Sequence, residues 1–257
     1  MNSEWKNDSE PYGSFAEIYD RIMCSVDYDG WADYVEELLN KNSKESQEVV
    51  DLACGTGSST LPFAHRGYLA AGVDISERML KLARQKSAQD NLQVGFFQQD
   101  LRRLDLPRQF DLALLFQDGL NYILNEEEIY LTLNNINKIL NPGGLFIFDL
   151  TRPGLRYSLG RESTCSAEFE ELILIMESSY RADENLWSAR LTVFQEIDKG
   201  LYRRYREEHL EKDYDPELVT RLLEQAGFIV CGIHPSFRFE QAKTTDQKLT
   251  FVAEKKS

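Results

Sequence analysis

The sequence predicts an α/β fold, a doubly wound and mainly parallel sheet with helices on both faces, preceded by helices and interrupted by an inserted antiparallel sheet. Three observations lead there. Short apolar segments of strand length alternate with helical segments from residue 48 to residue 150, the pattern of a parallel sheet covered on both sides. After Thr151 the segments lengthen and are joined by tight polar turns, as in an antiparallel sheet. Alternation then resumes at Asp215.

In chain order, residues 12–23 repeat Phe15, Ile18, Tyr19 and Ile22 at helical spacing, and residues 31–40 place Trp31, Tyr34, Val35, Leu38 and Leu39 on one helical side. "NKNSKES" is a polar loop. Strands are expected at 48–52, 69–73, 92–97, 110–116 and 145–150, with helices at 59–65, 77–89 and 126–140 between them. Ser76 is placed to cap the second of these helices. "NPGG" ends the third and turns into the next strand. Residues 168–180, 186–197 and 201–212 read as three antiparallel strands, with "ADEN" and "DKG" as turns. Asp215 suits an N-cap, Pro216 a first helical turn and Gly227 a stop. Strands at 228–233 and 249–253 bring the main sheet to seven. The expected organisation is a helical cap over 1–45, an alternating domain over 46–151 and 214–257, and an inserted sheet over 152–213 that covers a substrate pocket.

Composition narrows the function classes. The net charge over 257 residues is −14 and the isoelectric point about 4.8, which argues against a nucleic-acid partner needing a basic face. Cys24, Cys54, Cys165 and Cys231 lack C-x-x-C spacing, and His65, His209 and His234 lack metal-ligand spacing, so no metal is expected. The first residues are polar, with no apolar signal core, and no apolar run approaches the ~18 residues of a membrane span. A cytoplasmic protein, monomer or homodimer, with no membrane partner is the simplest expectation.

In an open parallel sheet, ligands bind outside the carboxyl ends of the strands. "VVDLACGTGSST" places Gly55 and Gly57 after the first strand, where bare main chain lets a ligand approach. Thr60 stands where a dinucleotide fingerprint has its third Gly, which weakens a nicotinamide reading. Asp74 follows the second strand, within reach of ribose hydroxyls, and Asp100 follows the third. Gln117, Asp118 and Asn121 follow the fourth. Each Asp alone is as readily a cap or turn residue; their recurrence at successive strand ends suggests one pocket.

These segments resemble the class I S-adenosylmethionine-dependent methyltransferases. "VVDLACGTG" is similar to that family's first motif, "AAGVDIS" to its ribose-binding strand end, "QQDLRRL" to its adenine-binding segment and "LNPGGLFIFD" to its fifth strand. Ala53 replaces the family's usual first Gly. "YGSFAEIYDRIM" and "EEHLEKDYDPELVTRLLEQAGF" resemble the flanks of bacterial small-molecule methyltransferases that act on amino sugars, small amines or peptide amino ends. The resemblance implies a Rossmann-like sheet with its last strand antiparallel, and S-adenosyl-L-methionine as cofactor. It further implies that Ala53, Gly55 and Gly57 approach the methionine part, that Asp74 holds the ribose, that Ile75 packs beside adenine, that Asp100 and the Leu101 N–H meet the adenine edge, and that Gln117 lies by the sulfonium. Tyr12, Phe15 and Tyr19 would form a front helix closing over the site, although an aromatic stripe at helical spacing equally serves packing.

The function expected is methyl transfer to a small-molecule acceptor, with an amine favoured; the alternative is a cofactor-binding sensor or interaction protein without catalysis. Strand alternation puts Tyr205, Glu207 and His209 on one face of the inserted sheet. His209 is the candidate proton acceptor, with Tyr19 a second catalytic candidate. Asn121, Tyr205 and Glu207 are candidate substrate contacts.

Overall fold

The computed structural model describes residues 15–156, 162–169 and 171–256. Two helices come first, α1 (Ala16–Ile22) and α2 (Tyr28–Lys41). The alternating region follows as β1 (Glu48–Leu52), α3 (Leu61–His65), β2 (Leu69–Asp74), α4 (Glu77–Gln89), β3 (Gly95–Gln98), a 3-10 turn at Leu101–Arg103, β4 (Phe110–Leu115), α5 (Glu126–Ile139) and β5 (Leu140–Thr151). After the short α6 (Pro153–Arg156) come β6 (Ser163–Phe169), β7 (Leu172–Arg181), β8 (Leu186–Asp198) and β9 (Leu201–Lys212). The chain ends with α7 (Pro216–Gln225), β10 (Phe228–Pro235) and β11 (Lys248–Lys255).

The main sheet has seven strands in the order β10-β11-β5-β4-β1-β2-β3. Strands β1 to β5 pair in parallel. β11 is antiparallel to both β5 and β10. Period-2 alternation divides the core. Val50, Ala113, Phe146 and Phe148 face one side with Ile129, Leu133 and Ile136 of α5 and Val219, Leu222 and Leu223 of α7. Val49, Leu112, Leu114 and Ile147 face the other with Val35, Leu38 and Leu39 of α2 and Phe63 of α3. Capping is local and legible: Ser76 accepts from the Met79 N–H at 3.4 Å, Asn125 from Glu128 at 2.9 Å and Asp215 from Glu217 at 2.8 Å.

The inserted sheet has four strands, β6-β7-β8-β9, where the sequence suggested three. The expected strand over 168–180 is two strands in register, with Phe169 opposite Leu172. No Gly or Pro marks that reversal, so the apolar run reads as continuous. "NPGG" also differs from expectation, since Asn141 to Gly144 begin β5 itself, with Gly143 at φ 76°. A third, smaller core joins the insert to the front helix: Phe15, the N-cap of α1, and Ile18 within it pack with Leu172, Val193 and Tyr205. Arg21 of α1 adds an exposed hydrogen bond to Glu171 at 3.3 Å.

Among the described residues no helix is long and apolar enough to cross a membrane.

Candidate active site

A cavity of about 830 Å³ runs from the carboxyl ends of β1 to β4 to the inner face of β9. Its volume lies toward the upper end of the ~300–1,000 Å³ typical of small-molecule sites. The sequence-selected residues Tyr19, Ala53, Gly55, Asp74, Ile75, Asp100, Leu101, Gln117, Glu207 and His209 all line it. Tyr12 lies outside the described residues.

The turn after β1 opens the strand-end side. Ala53 has φ 60° and Gly55 φ 54°, and a Cβ added at Gly55 would meet nothing within 4 Å. A side chain there would project into open space, which is the geometry a closely approaching ligand needs. Gly57 serves a different end. It is not among the residues lining this cavity, and a Cβ there would come to 3.0 Å from the Ala83 Cβ, so this glycine permits contact between the turn and α4. Asp74 braces the turn from the next strand, accepting from the Gly55 N–H at 2.9 Å and from the Ser76 N–H at 2.8 Å. Burial raises its pKa, and the backbone donors work against that rise. Asp51, inside β1, accepts from the Ser59 and Thr60 hydroxyls at 2.7 and 2.6 Å, and burial pushes it up to about 6.

At the rim, Asp100 caps the 3-10 turn through the Arg102 N–H at 2.9 Å and receives the Arg102 guanidinium on both oxygens. Arg102 also holds the carboxyl below its ordinary pKa. The carboxylate expected to receive an adenine amino group is therefore turned to Arg102 in this conformation. Nothing in the "QQDLRRL" pattern distinguishes this local pair.

After β4 the backbone holds two consecutive left-handed residues, Gln117 at φ 59° and Asp118 at φ 64°. Asp149 of β5 accepts from both N–H groups, at 3.0 and 2.8 Å, and Lys248 of β11 reaches Asp149 at 2.9 Å and Asp118 at 3.0 Å. This brace aims the Gln117 side chain into the cavity, where its Oε1 accepts from the Tyr19 hydroxyl at 2.6 Å and its Nε2 donates to Tyr28 at 3.3 Å. Asp20, also on α1, accepts from the hydroxyls of Thr56 and Ser58 and pairs with Lys86 of α4 at 2.8 Å. Thus α1 is held over the first turn by two polar latches. Neither Lys248 nor Asp149 stands out in the sequence, because their relation is set by sheet order across roughly a hundred residues.

Three expected contacts point elsewhere. Asn121 is 0% exposed. Its Nδ2 donates to the Thr151 and Lys212 carbonyls, both at 2.8 Å, and its Oδ1 accepts from the Thr151 N–H at 3.1 Å. With its side-chain amide committed, it ties the end of β5 to the end of β9 and does not orient a substrate. Tyr205 is buried under α1, with its hydroxyl donating to Gln195 at 2.7 Å. Phe15 is buried in the same small core. At both positions the apolar ring goes to packing, while Glu207 and His209 farther along β9 reach the cavity.

His209 is 8% exposed. Its Nδ1 lies 3.0 Å from the Tyr122 hydroxyl and its Nε2 lies 4.0 Å from Glu207 Oε2. Burial lowers its pKa from the ordinary value, which favours a neutral imidazole at pH 7. Tyr122 was not legible as a site residue, since it follows β4 in a segment without periodicity.

Residues 49–144 match a family model described as a methyltransferase domain. A methyltransferase-like protein of Geobacillus sp. (strain WCH70) is 31% identical over 245 residues, covering 95% of this chain and 99% of the relative. The chain belongs to the class I S-adenosylmethionine-dependent methyltransferases. A solved S-adenosylmethionine-dependent methyltransferase from Clostridium acetobutylicum ATCC 824 superposes with a TM-score of 0.85 at 27% identity, over 96% of this methyltransferase and 99% of that chain. Over a shorter span, 52% of this methyltransferase and 56% of the relative, a dTDP-3-amino-3,4,6-trideoxy-alpha-D-glucopyranose N,N-dimethyltransferase of Streptomyces venezuelae is 27% identical. The open cradle at Gly55 and the buried carboxylate at Asp74 fit S-adenosylmethionine, the cofactor of this family.

Proposed function

We propose that this methyltransferase transfers a methyl group to the amine of a small molecule held between the strand ends and β9. The observation that carries the reading is the continuity of the cavity: one volume joins Gly55 and Asp74 to a wall bearing Glu207, His209 and Tyr122. The Streptomyces venezuelae relative named for an amino-sugar acceptor supports the amine. The net charge of −14 speaks against a nucleic-acid acceptor.

In this reading the domain over 46–151 and 214–257 holds the cofactor, and the insert over 152–213 supplies the acceptor wall. Main chain at Ala53 and Gly55 would take the methionine part and Asp74 the ribose hydroxyls, while Ile75 would pack beside the adenine with the Leu101 N–H near its edge. When bound, S-adenosylmethionine supplies an activated methyl group for in-line displacement. Tyr19 and Gln117 shape the channel at the junction of the two halves, and the acceptor wall excludes water and fixes the line of attack, worth several kcal/mol. An amine arriving with a proton, or losing one after methylation, needs a proton acceptor. His209, buried and shifted toward its neutral form, is the group on this wall where such a proton can come to rest.

The test is incubation of the purified chain with methyl-labelled cofactor and a panel of small amines, alcohols and thiols. Label transferred to amines supports the reading. Label passing only to hydroxyls or thiols removes the amine, and label on nucleic acid at physiological salt removes the small-molecule class.

A further inference from the structure

His209 presents a difficulty as a direct base. Its two ring nitrogens face protein groups, Nδ1 the Tyr122 hydroxyl at 3.0 Å and Nε2 the Glu207 carboxylate at 4.0 Å. The residue is 8% exposed, whereas Tyr122 lines the same cavity at 37% exposed. The two rings meet edge to face, with centroids 5.9 Å apart and planes at 82°. Of the two residues Tyr122 is thus the more exposed, and the imidazole stands behind it.

We propose that Tyr122 is the catalytic residue that takes the acceptor's proton while passing its own hydroxyl proton to His209, which Glu207 supports as an imidazolium. This rests on the amine reading above. As the new C–N bond forms and the C–S bond breaks, the N–H bond of the amine breaks and its electron pair stays on nitrogen. That proton goes to Tyr122 Oη, and the original phenol proton goes to His209 Nδ1. Tyr122 ends neutral, and the imidazolium later returns its proton to solvent. A phenol with an ordinary pKa near ~10 is a poor relay alone at pH 7. Coupled to a neutral imidazole at 3.0 Å, it need never carry a full negative charge.

The charged surroundings of His209 suit this role. Glu207 and Glu211 share its face of β9, two positions to either side. Arg206 and Glu208 alternate with them along β9, pair with each other at 3.8 Å and reach the cavity rim from that side, and Ala189 is directly across on β8. Tyr122 approaches from the segment after β4. A carboxylate at 4.0 Å stabilises the imidazolium once it forms.

The experiment has two arms on the full chain. ¹⁵N NMR of the imidazole, with S-adenosylhomocysteine present, reads the tautomer without needing an acceptor. The expected result is an unprotonated Nδ1 accepting from Tyr122 and a protonated Nε2, with the tautomer preference weakened in Tyr122→Phe. A protonated Nδ1 in the unsubstituted chain overturns the proposal. The second arm measures turnover of a dTDP-3-amino-deoxysugar probe by the unsubstituted chain, Tyr122→Phe, His209→Asn and the double variant. Tyr122→Phe keeps the ring and should still fold, with cofactor affinity unchanged within about twofold. The expected loss is ~10²-fold or more in kcat for each single variant, with no further loss in the double, because the two groups act as one path. Normal turnover by Tyr122→Phe, or losses that multiply in the double variant, overturns it. If the unsubstituted chain leaves the probe unmethylated, the acceptor choice is at fault, and the NMR arm still decides the relay.

Discussion

Asp74 has one duty in the structure and a second in the proposed reading. It braces the Gly55 and Ser76 N–H groups and stands where a ribose would be read. Losing a charge-assisted hydrogen bond costs ~1.5–3 kcal/mol, so Asp74→Ala should weaken S-adenosylmethionine binding more than tenfold by calorimetry while the fold survives. Gly55→Val should be worse, because the added side chain enters open space at a backbone conformation that a β-branched residue resists. Lys248 is the sole cation shown on Asp149 and Asp118 among the described residues. Lys248→Met should destabilise by about 3 kcal/mol, the lower end for a broken buried pair, since 35% of the lysine side chain reaches solvent. The pH dependence has a defined sign. Burial raises the Asp149 pKa to about 6, against the lowering effect of Lys248, so a folded chain holds that proton more tightly than an unfolded one. That contribution favours folding at low pH and is lost as pH rises through about 6. Removing Lys248 extends the window upward. Denaturant unfolding of Lys248→Met should therefore show a larger deficit at pH 8 than at pH 5; an equal deficit would disprove the ion-pair account.

Strands and helices with strong local signals were legible almost to the residue. β1 runs over Glu48–Leu52 and α4 over Glu77–Gln89 as their patterns require, because apolar period and cap agree there. β6 was not legible, since "STCSAEF" is only weakly apolar and the reversal before Leu172 has no Gly or Pro. The strand-end rule picked Asp74 and Gln117, which line the cavity, but misjudged Asn121, because position after a strand does not tell whether an amide faces outward or inward. Here it bridges β5 and β9. Asn121→Ala would leave the Thr151 and Lys212 carbonyls without that donor, at ~1–3 kcal/mol per unsatisfied buried group. Thermal unfolding should show a clear loss in Tm, with exchange of the Lys212 and Thr151 amides accelerated beyond that of the β1 amides. Exchange unchanged at the β5–β9 junction would contradict the bracing role.

For the molecule as a whole, the seven-stranded sheet and the insert have separate cores, and α1 belongs to the second. Among the described residues, Phe15 and Ile18 belong to neither of the sheet's two cores and pack instead on Leu172, Val193 and Tyr205. Ile18→Ala, at a site 1% exposed, should loosen that docking by ~2–4 kcal/mol. The expected readout is faster proteolysis near α1 and weaker cofactor binding, with little change in the main unfolding transition. A uniform loss of stability with α1 equally protected would refute this division.

The same packing defines what can be inherited together. Residues 163–212 look like a portable cassette, bounded by strands that pair mostly with one another. Transplanting that cassette alone between relatives would set foreign strands against the resident Phe15 and Ile18, and break the Arg21 to Glu171 contact. The unit of exchange is discontinuous: front helix and insert form one module split across about 150 residues of sequence. Recombination that respects that module can change the acceptor wall with a matched core, provided the incoming helix keeps Tyr19 for Gln117 and Asp20 for Thr56 and Ser58, and a crossover placed between its two halves yields a mismatched core.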